Sequence, residues 1–172
     1  MKWRNHKMVT LAAVYSLTGG IIPATLAMFG SVLPDVLELR RNGQVDGLIR
    51  HRTITHYPPL WLGVGFLLWL FYRSGGYSSW SLYAGIFFVA GGLMHLAEDA
   101  LSKSGIPFSK PYGKAHGAGL YIVNTVGEEL TAACLLLAFS AVAYARGYFG
   151  AGHTADQMAL FINLCKGFLT HP

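Results

Sequence analysis

Histidine and aspartate residues concentrate in three short polar stretches of an otherwise apolar chain. The first stretch contains Asp35, the second begins at His51 and ends at His56, and the third is the pair His95 and Asp99. Imidazole and carboxylate groups are common ligands of zinc and similar divalent ions, and such an ion can turn water into a nucleophile near neutral pH. The pattern therefore predicts a metal site, provided that the fold brings the three stretches together.

The pair His95 and Asp99 is the strongest local signal, because a spacing of four residues places both side chains on one face of a helix. The same spacing also suits a histidine that only bonds the neighbouring acid at a helix end. His51 and His56 are five residues apart, which fits neither helix nor strand periodicity, so we expect a loop that wraps around an ion. Asp35 could instead serve as a helix N-cap.

Three further residues are candidates for roles in catalysis. Arg52 lies inside the second stretch, and its guanidinium could hold two oxygens of a phosphate or carboxylate; the alternative is an arginine that faces lipid headgroups. Glu98 lies beside Asp99 and is a candidate proton acceptor. Glu128 is another, because it lies in an apolar segment where an acidic side chain is costly and is often functional.

The composition indicates an integral membrane protein. Of 172 residues, 53% are hydrophobic and only 12% are charged, against roughly 25% in ordinary soluble domains. No linker or low-complexity tract divides the chain, so residues 1–172 are predicted to form a single domain. The net charge of +5 comes from basic residues that flank apolar segments, which suits contact with anionic membrane lipids. Nucleic acid is not an expected partner.

The first apolar segment is interrupted near its middle by Gly19-Gly20 and Pro23. These residues favour a turn between two short helices, each too short to cross a bilayer. The two helices would run from Lys7 to Thr18 and from Ile22 to Leu33.

An antiparallel hairpin of these two helices would return His6 and Asp35 to the same end of the molecule. If the segment instead crosses the membrane as one kinked helix, the two residues lie on opposite sides. The stretch Ala24 to Ala27 resembles a signal-peptide cleavage site, but cleavage would remove His6, so we expect the segment to be retained.

Three further apolar segments predict helices, and Gly85, Gly91 and Gly92 would let a neighbouring helix approach the second of them closely. We therefore expect an all-α integral membrane bundle with a broken N-terminal helical hairpin, about four apolar helical segments and an amphipathic C-terminal helix. Four crossings would place the loop with His51 and His56 on the same face as His95, although the basic residues do not decide which face this is. The further segments are residues 60–72, 80–97 and 120–145, and the amphipathic tail is residues 156–169.

The motifs resemble those of the YdjM-type inner-membrane family, whose members are inferred to be metal-dependent hydrolases. The chain departs from this family pattern at two places. The family often has an acid two residues after Pro-Asp, where this chain has Leu37 followed by Glu38. Thr53 stands where the family frequently has a glycine. The matching stretches are Gly30 to Asp35 (GSVLPD), His51 to His56 (HRTITH), His95 to Leu101 (HLAEDAL), Gly105 to Phe108 (GIPF) and Trp3 to His6 (WRNH).

This resemblance implies a helical hydrolase in the bacterial inner membrane, with a distant likeness to zinc-dependent phospholipase C. It also implies that six residues form a centre for one or two divalent ions, with zinc the expected metal. The six are His6, Asp35, His51, His56, His95 and Asp99.

The expected reaction is hydrolysis of an ester or phosphoester, with a membrane lipid among the candidate substrates. Water activated by the ion would attack, Glu98 or Glu128 would take the proton, and Arg52 would stabilise the developing anion. Two alternatives belong to other classes. One is a non-catalytic membrane scaffold or regulator with a closed, structural metal site, and the other is a haem-binding bundle with two axial histidines.

Overall fold

In a computed structural model, the chain is described over residues 1–41, 52–76 and 78–170, without the side chains of residues 39–41, 161 and 164–170. The N-terminal segment forms a hairpin of α1 (Trp3–Thr18) and α2 (Ile21–Gly30), which pack against each other. Gly19 ends α1 in the left-handed conformation, with φ at +66°, and its N–H bonds the carbonyl of Tyr15. The predicted hairpin is therefore present, and the single kinked span is not.

The second arm of the hairpin is longer than predicted. After α2 the chain enters α3 (Leu33–Arg41) through a short turn in which Ser31 N–H bonds the carbonyl of Ala27. The combined segment Ile21–Glu38 is long and apolar enough to cross a membrane. The expectation that both arms are too short to cross is thus wrong for the second arm, because the turn after Gly30 does not end the apolar stretch.

The remaining helices follow the predicted apolar segments with different ends. The last long helix begins six residues later than expected, because Gly119 and Asn124 have left-handed backbones, with φ at +73° and +63°, that no α-helix accommodates. Among the described residues, Ser79–Ala100 and Val126–Ala145 join Ile21–Glu38 as helices able to span a membrane. The helices are α4 (Pro58–Arg73), α5 (Ser79–Ala100), α6 (Val126–Ala145) and α7 (Ala151–Thr170).

Two short elements that the sequence analysis did not predict lie near the polar end of the bundle. A single turn of 3-10 helix, Ile54–His56, precedes α4. Between α5 and α6, β1 (Ile106–Pro107) pairs antiparallel with β2 (Ala115–His116). Both elements hold loops close to the end of α5.

Helix α5 packs against both α2 and α4. A Cβ atom on Gly91 would overlap the backbone carbonyl of Ala27, and one on Gly92 would overlap the Trp61 ring, so only hydrogen fits at these crossings. The outward side of α4 carries exposed apolar side chains such as Leu62 and Phe66, as expected of a surface in contact with lipid. The all-α membrane bundle is confirmed.

Candidate metal centre

Four donor atoms from three separate elements converge at one end of the bundle. Asp35 lies in the first turn of α3, His56 ends the 3-10 helix, and His95 and Asp99 lie in the last two turns of α5. The Nε2 atoms of His56 and His95 are 3.1 Å apart. Asp35 Oδ1 lies 3.3 Å and 3.6 Å from these two nitrogens, and Asp99 Oδ2 lies 3.7 Å and 3.8 Å from them.

These five separations suit donor atoms that share a divalent ion. Bonds of about 2.0–2.1 Å to nitrogen and oxygen place neighbouring ligand atoms about 3.3–3.4 Å apart, close to the mean of the observed values. The donor types are those that zinc accepts, and His56, His95 and Asp99 are almost completely buried. The residues present therefore fit the metal that the sequence predicts.

His6 adds a second group of donors beside the first. Its Nε2 atom lies 3.6 Å from Asp99 Oδ1, and its ring stacks on His95 with centroids 3.9 Å apart. Asp99 consequently directs one oxygen to His6 and the other to His56 and His95. Within the part of the chain that the structure describes, His6 Nε2 and His95 Nδ1 are buried without a hydrogen-bond partner, which is costly for a polar atom.

Two carboxylates hold the rings of His6 and His56 from behind. Glu98 Oε2 lies 2.5 Å from His6 Nδ1, and Glu38 Oε1 lies 3.2 Å from His56 Nδ1. In both cases Nδ1 faces the carboxylate and Nε2 faces the cluster. Metal-binding histidines commonly have this arrangement, in which an outer carboxylate fixes the tautomer and orientation of the ring.

The surrounding carboxylates also raise the pKa of the two site histidines that lie outside the spanning helices, His6 and His56. Burial alone would lower the pKa of His6, but the neighbouring Asp99 and Glu98 carboxylates outweigh it and hold the pKa above its ordinary value. His56 behaves in the same way, since Asp35 and Glu38 outweigh its burial and raise its pKa. Protons and a metal ion therefore compete for the same ring nitrogens.

Arg52 lies at the edge of the cluster with its backbone in the left-handed conformation, at φ +71°. Its Nη2 atom lies 2.9 Å from Asp99 Oδ2, and Nη1 donates to Ser102 Oγ at 3.0 Å and to the Gly105 carbonyl at 2.6 Å. A cavity of about 290 Å³ opens beside these groups. Its lining residues are Met1, Asp35, Arg52, Asp99, Ser104, Ala115 and Val123.

The two glutamates predicted as proton acceptors are both engaged by other groups. Glu98 accepts from Thr10 Oγ1 at 3.0 Å with the oxygen that does not face His6. Glu128 is fully buried in the first turn of α6, where it accepts from the Lys2 N–H at 2.5 Å and from Asn5 Nδ2 at 2.9 Å. Glu98 therefore packs against His6, and Glu128 packs against the start of α1.

The sequence analysis missed the roles of several residues next to the site. Trp3 donates from its indole Nε1 to Asp35 Oδ2 at 2.8 Å, and the amino group of Met1 lies 2.8 Å from Asp99 Oδ1. Glu38 faces the second histidine stretch, whereas Leu37 is 40% exposed. Only Glu38 left a signal, as an acid three residues after Asp35 on the same helix.

The structure thus brings five of the six predicted ligands together, in two groups of three that share His95. The predicted ligand His51 lies outside the described residues, whereas Arg52, next to it, is placed at the site. The five are His6, Asp35, His56, His95 and Asp99.

Comparison with known proteins identifies one family. The sequence model of the YdjM inner membrane protein family matches residues 1–167, which is nearly the whole chain. No curated protein and no solved structure matches the chain.

Proposed function

The chain belongs to the YdjM inner membrane protein family and lies in the inner membrane, and we propose that it is a metal-dependent hydrolase of an ester or phosphoester. The observation that carries the proposal is the convergence of four ligand atoms beside a cavity that contains an arginine. A buried donor set and an accessible pocket with a cation are the two parts that hydrolysis of an anionic or polarised substrate requires.

Asp35, His56 and His95 would hold the ion, which we propose to be zinc, with Asp99 Oδ2 as a fourth donor, and His6 with the second oxygen of Asp99 could extend the site to two ions. The chemistry that a divalent ion supplies in such a site is activation of water and polarisation of an ester or phosphoryl oxygen. The carboxylates Glu38 and Glu98 would keep His56 and His6 oriented during this chemistry.

Arg52 would bind the substrate. Its guanidinium lines the cavity, and Ser102 and the Gly105 carbonyl hold it from one side, so its position is fixed before substrate arrives. A planar guanidinium pairs well with two phosphoryl or carboxylate oxygens. The cavity of about 290 Å³ lies at the small end of the range for ligand pockets, so it would take a headgroup rather than acyl chains.

The two glutamates that are candidates for the proton acceptor are both occupied by other contacts. Both oxygens of Glu98 are already in hydrogen-bond contact with side chains, His6 and Thr10, and Glu128 is bound to Lys2, Asn5 and Asn124. We therefore assign positioning roles to both glutamates. Asp35 also lines the cavity, and its Oδ2 accepts a hydrogen bond from Trp3 Nε1.

A structural metal site is the second candidate, and one observation favours it. Asp99 Oδ2, at 3.7 Å and 3.8 Å from His56 and His95, would add a fourth donor to the group Asp35, His56 and His95, and four donors is the number in closed structural zinc sites, whereas catalytic sites keep an open position. The contact of Arg52 with Asp99 Oδ2 favours the hydrolase instead, because the guanidinium and the ion would share that oxygen. A haem is disfavoured by the 3.1 Å between the two Nε2 atoms, which leaves no gap for an axially ligated iron.

The test uses the full-length protein purified in detergent and loaded with zinc. We expect stoichiometric metal and hydrolysis of bis-p-nitrophenyl phosphate or p-nitrophenyl acetate, with rates that fall roughly 100-fold or more in Asp35→Asn. His153→Ala is the matched control and should keep both metal and activity. Metal without hydrolysis of phospholipids or either test substrate would support the scaffold, and no stoichiometric metal would overturn both candidates.

A further inference from the structure

One buried carboxylate contacts most of the segment 52–56, which carries Arg52 and His56. Glu38, which is 6% exposed, accepts through Oε1 from the Thr53 N–H at 2.8 Å and from Thr55 Oγ1 at 2.8 Å. The same oxygen lies 3.2 Å from Thr53 Oγ1 and from His56 Nδ1. Its other oxygen, Oε2, accepts from the Arg52 N–H at 3.0 Å.

These donors come from four of the five consecutive residues 52–56, and they meet one side chain on α3. A buried carboxylate is costly unless donors surround it, and a loop with buried N–H groups is costly unless acceptors do so. Glu38 meets both requirements at once. Asp35 lies three residues earlier on α3, so the element that presents Asp35 to the cluster also fixes the loop that presents His56.

We propose that Glu38 is the positioning residue that sets the conformation of residues 52–56 and, through it, the direction of His56 Nε2 and of the Arg52 side chain. This inference rests on the proposed metal site. Glu38 does not itself face the cluster, because the ring nitrogen it contacts is Nδ1 and the cluster lies at Nε2. It is therefore a partner of a ligand and not a further ligand.

The backbone conformation of Arg52 also depends on Glu38. Its φ of +71° is a backbone conformation that residues with a side chain rarely adopt, and it persists only where surrounding contacts hold it. The bond from the Arg52 N–H to Glu38 is one such contact, and the guanidinium bonds to Ser102 and Gly105 are others. Loss of Glu38 should consequently loosen both the ligand and the substrate-binding arginine.

The experiment measures zinc affinity of the full-length protein by competition with a chelator, together with the visible spectrum of the cobalt-loaded protein. Glu38→Gln puts an amide N–H opposite N–H or O–H donors, and we expect zinc affinity to fall about 10- to 100-fold. At saturating cobalt the spectrum should keep the band positions of the unchanged protein, because no ligand is lost. Glu129→Gln is the control, since Glu129 is a partly exposed carboxylate that pairs with Lys2 and Arg4.

Thr55→Val serves as the milder variant if Glu38→Gln does not fold, because it removes one of the bonds to Glu38 Oε1 together with the contact between Thr55 Oγ1 and His56 Nδ1. We expect it to weaken zinc binding by about 2- to 10-fold, the effect of one net hydrogen bond. Zinc affinity within twofold of the unchanged protein in both folded variants would overturn the inference and leave the metal site standing. A changed cobalt spectrum at saturation would assign Glu38 as a ligand instead, and failure of the unchanged protein to bind metal would overturn the metal site itself.

Discussion

The two ends of the bundle each contain a histidine held by neighbouring groups, but only one end has the composition of a reactive site. At the hairpin end, His153 Nε2 lies 2.7 Å from the Gly19 carbonyl, and its ring stacks on Tyr148 at 4.9 Å between centroids. At the other end, His56 and His95 lie among carboxylates and are fully buried. The partly buried packing of His153 shows that a histidine with satisfied contacts needs no metal.

Helix ends account for part of the difference. At the hairpin end, Arg146 donates to the carbonyls of Ser16 and Leu17, where a cation complements the negative end of α1. At the site end, Glu98 and Asp99 lie in the last turn of α5, where the helix dipole disfavours negative charge. Two buried carboxylates at that position require cations nearby, and Arg52, 2.9 Å from Asp99, is one of them.

The largest expected effect separates the histidines of the two ends. His95→Ala removes a donor from both candidate ligand groups, so zinc affinity should fall roughly 100-fold or more. His153→Ala should leave zinc affinity unchanged within twofold. Elemental analysis and chelator competition on the purified proteins provide the measurement. Equal metal content in both variants would remove the distinction between the two ends.

Sequence reasoning could place the candidate ligands His95 and Asp99 together because their spacing is local. His95 and Asp99 share a helical face at any helix end, and the Gly19-Gly20 break dictates a turn regardless of what packs against it. The partners of Glu38 could not be predicted in this way. They depend on how residues 52–56 fold back over α3, which is a contact between elements and leaves no periodic trace.

The start of α6 shows the same limit. The apolar stretch from Leu120 onward fits a helix, yet residues up to Thr125 stay irregular, and Tyr121 donates to the carbonyl of Glu98. That contact fixes the loop at the end of α5. Hydropathy registers the apolar side chains of such a loop but not its backbone conformation, so the prediction placed Glu128 inside a helix rather than in its first turn.

The second largest effect concerns the helix crossing that joins the two ends. A Cβ atom on Gly91 would overlap a rigid backbone carbonyl, whereas one on Gly63 meets nothing within 4 Å. Gly91→Ala should therefore lower the free energy of unfolding by about 1–3 kcal/mol, and Gly63→Ala should leave it unchanged or raise it slightly. Thermal unfolding in detergent measures both. A Gly91→Ala variant as stable as Gly63→Ala would contradict the close approach of α2 and α5.

A smaller effect is expected from the cation at the hairpin end. Arg146→Gln removes the charge near the C-terminus of α1 and should lower the free energy of unfolding by about 0.5–1 kcal/mol. Zinc affinity should not change, since the contacts of Arg146 are with Ser16 and Leu17. Parallel unfolding and chelator titrations test this. A fall in zinc affinity would show that the two ends are coupled through α1.

The smallest effect is expected at Trp3, where α1 touches the site. Trp3→Phe keeps an aromatic ring but removes the N–H that bonds Asp35 Oδ2, leaving Oδ1 of that carboxylate directed to His56. Because Trp3 is 42% exposed, water can replace the lost donor, and zinc affinity should fall only about 2- to 5-fold. Trp80→Phe, on α5 at the other end, is the matched control and should not alter it. If Trp3→Phe weakens zinc as strongly as His95→Ala, then Asp35 owes its direction to the hairpin and not to α3, and the site end depends on the N-terminal helix far more than its distances indicate.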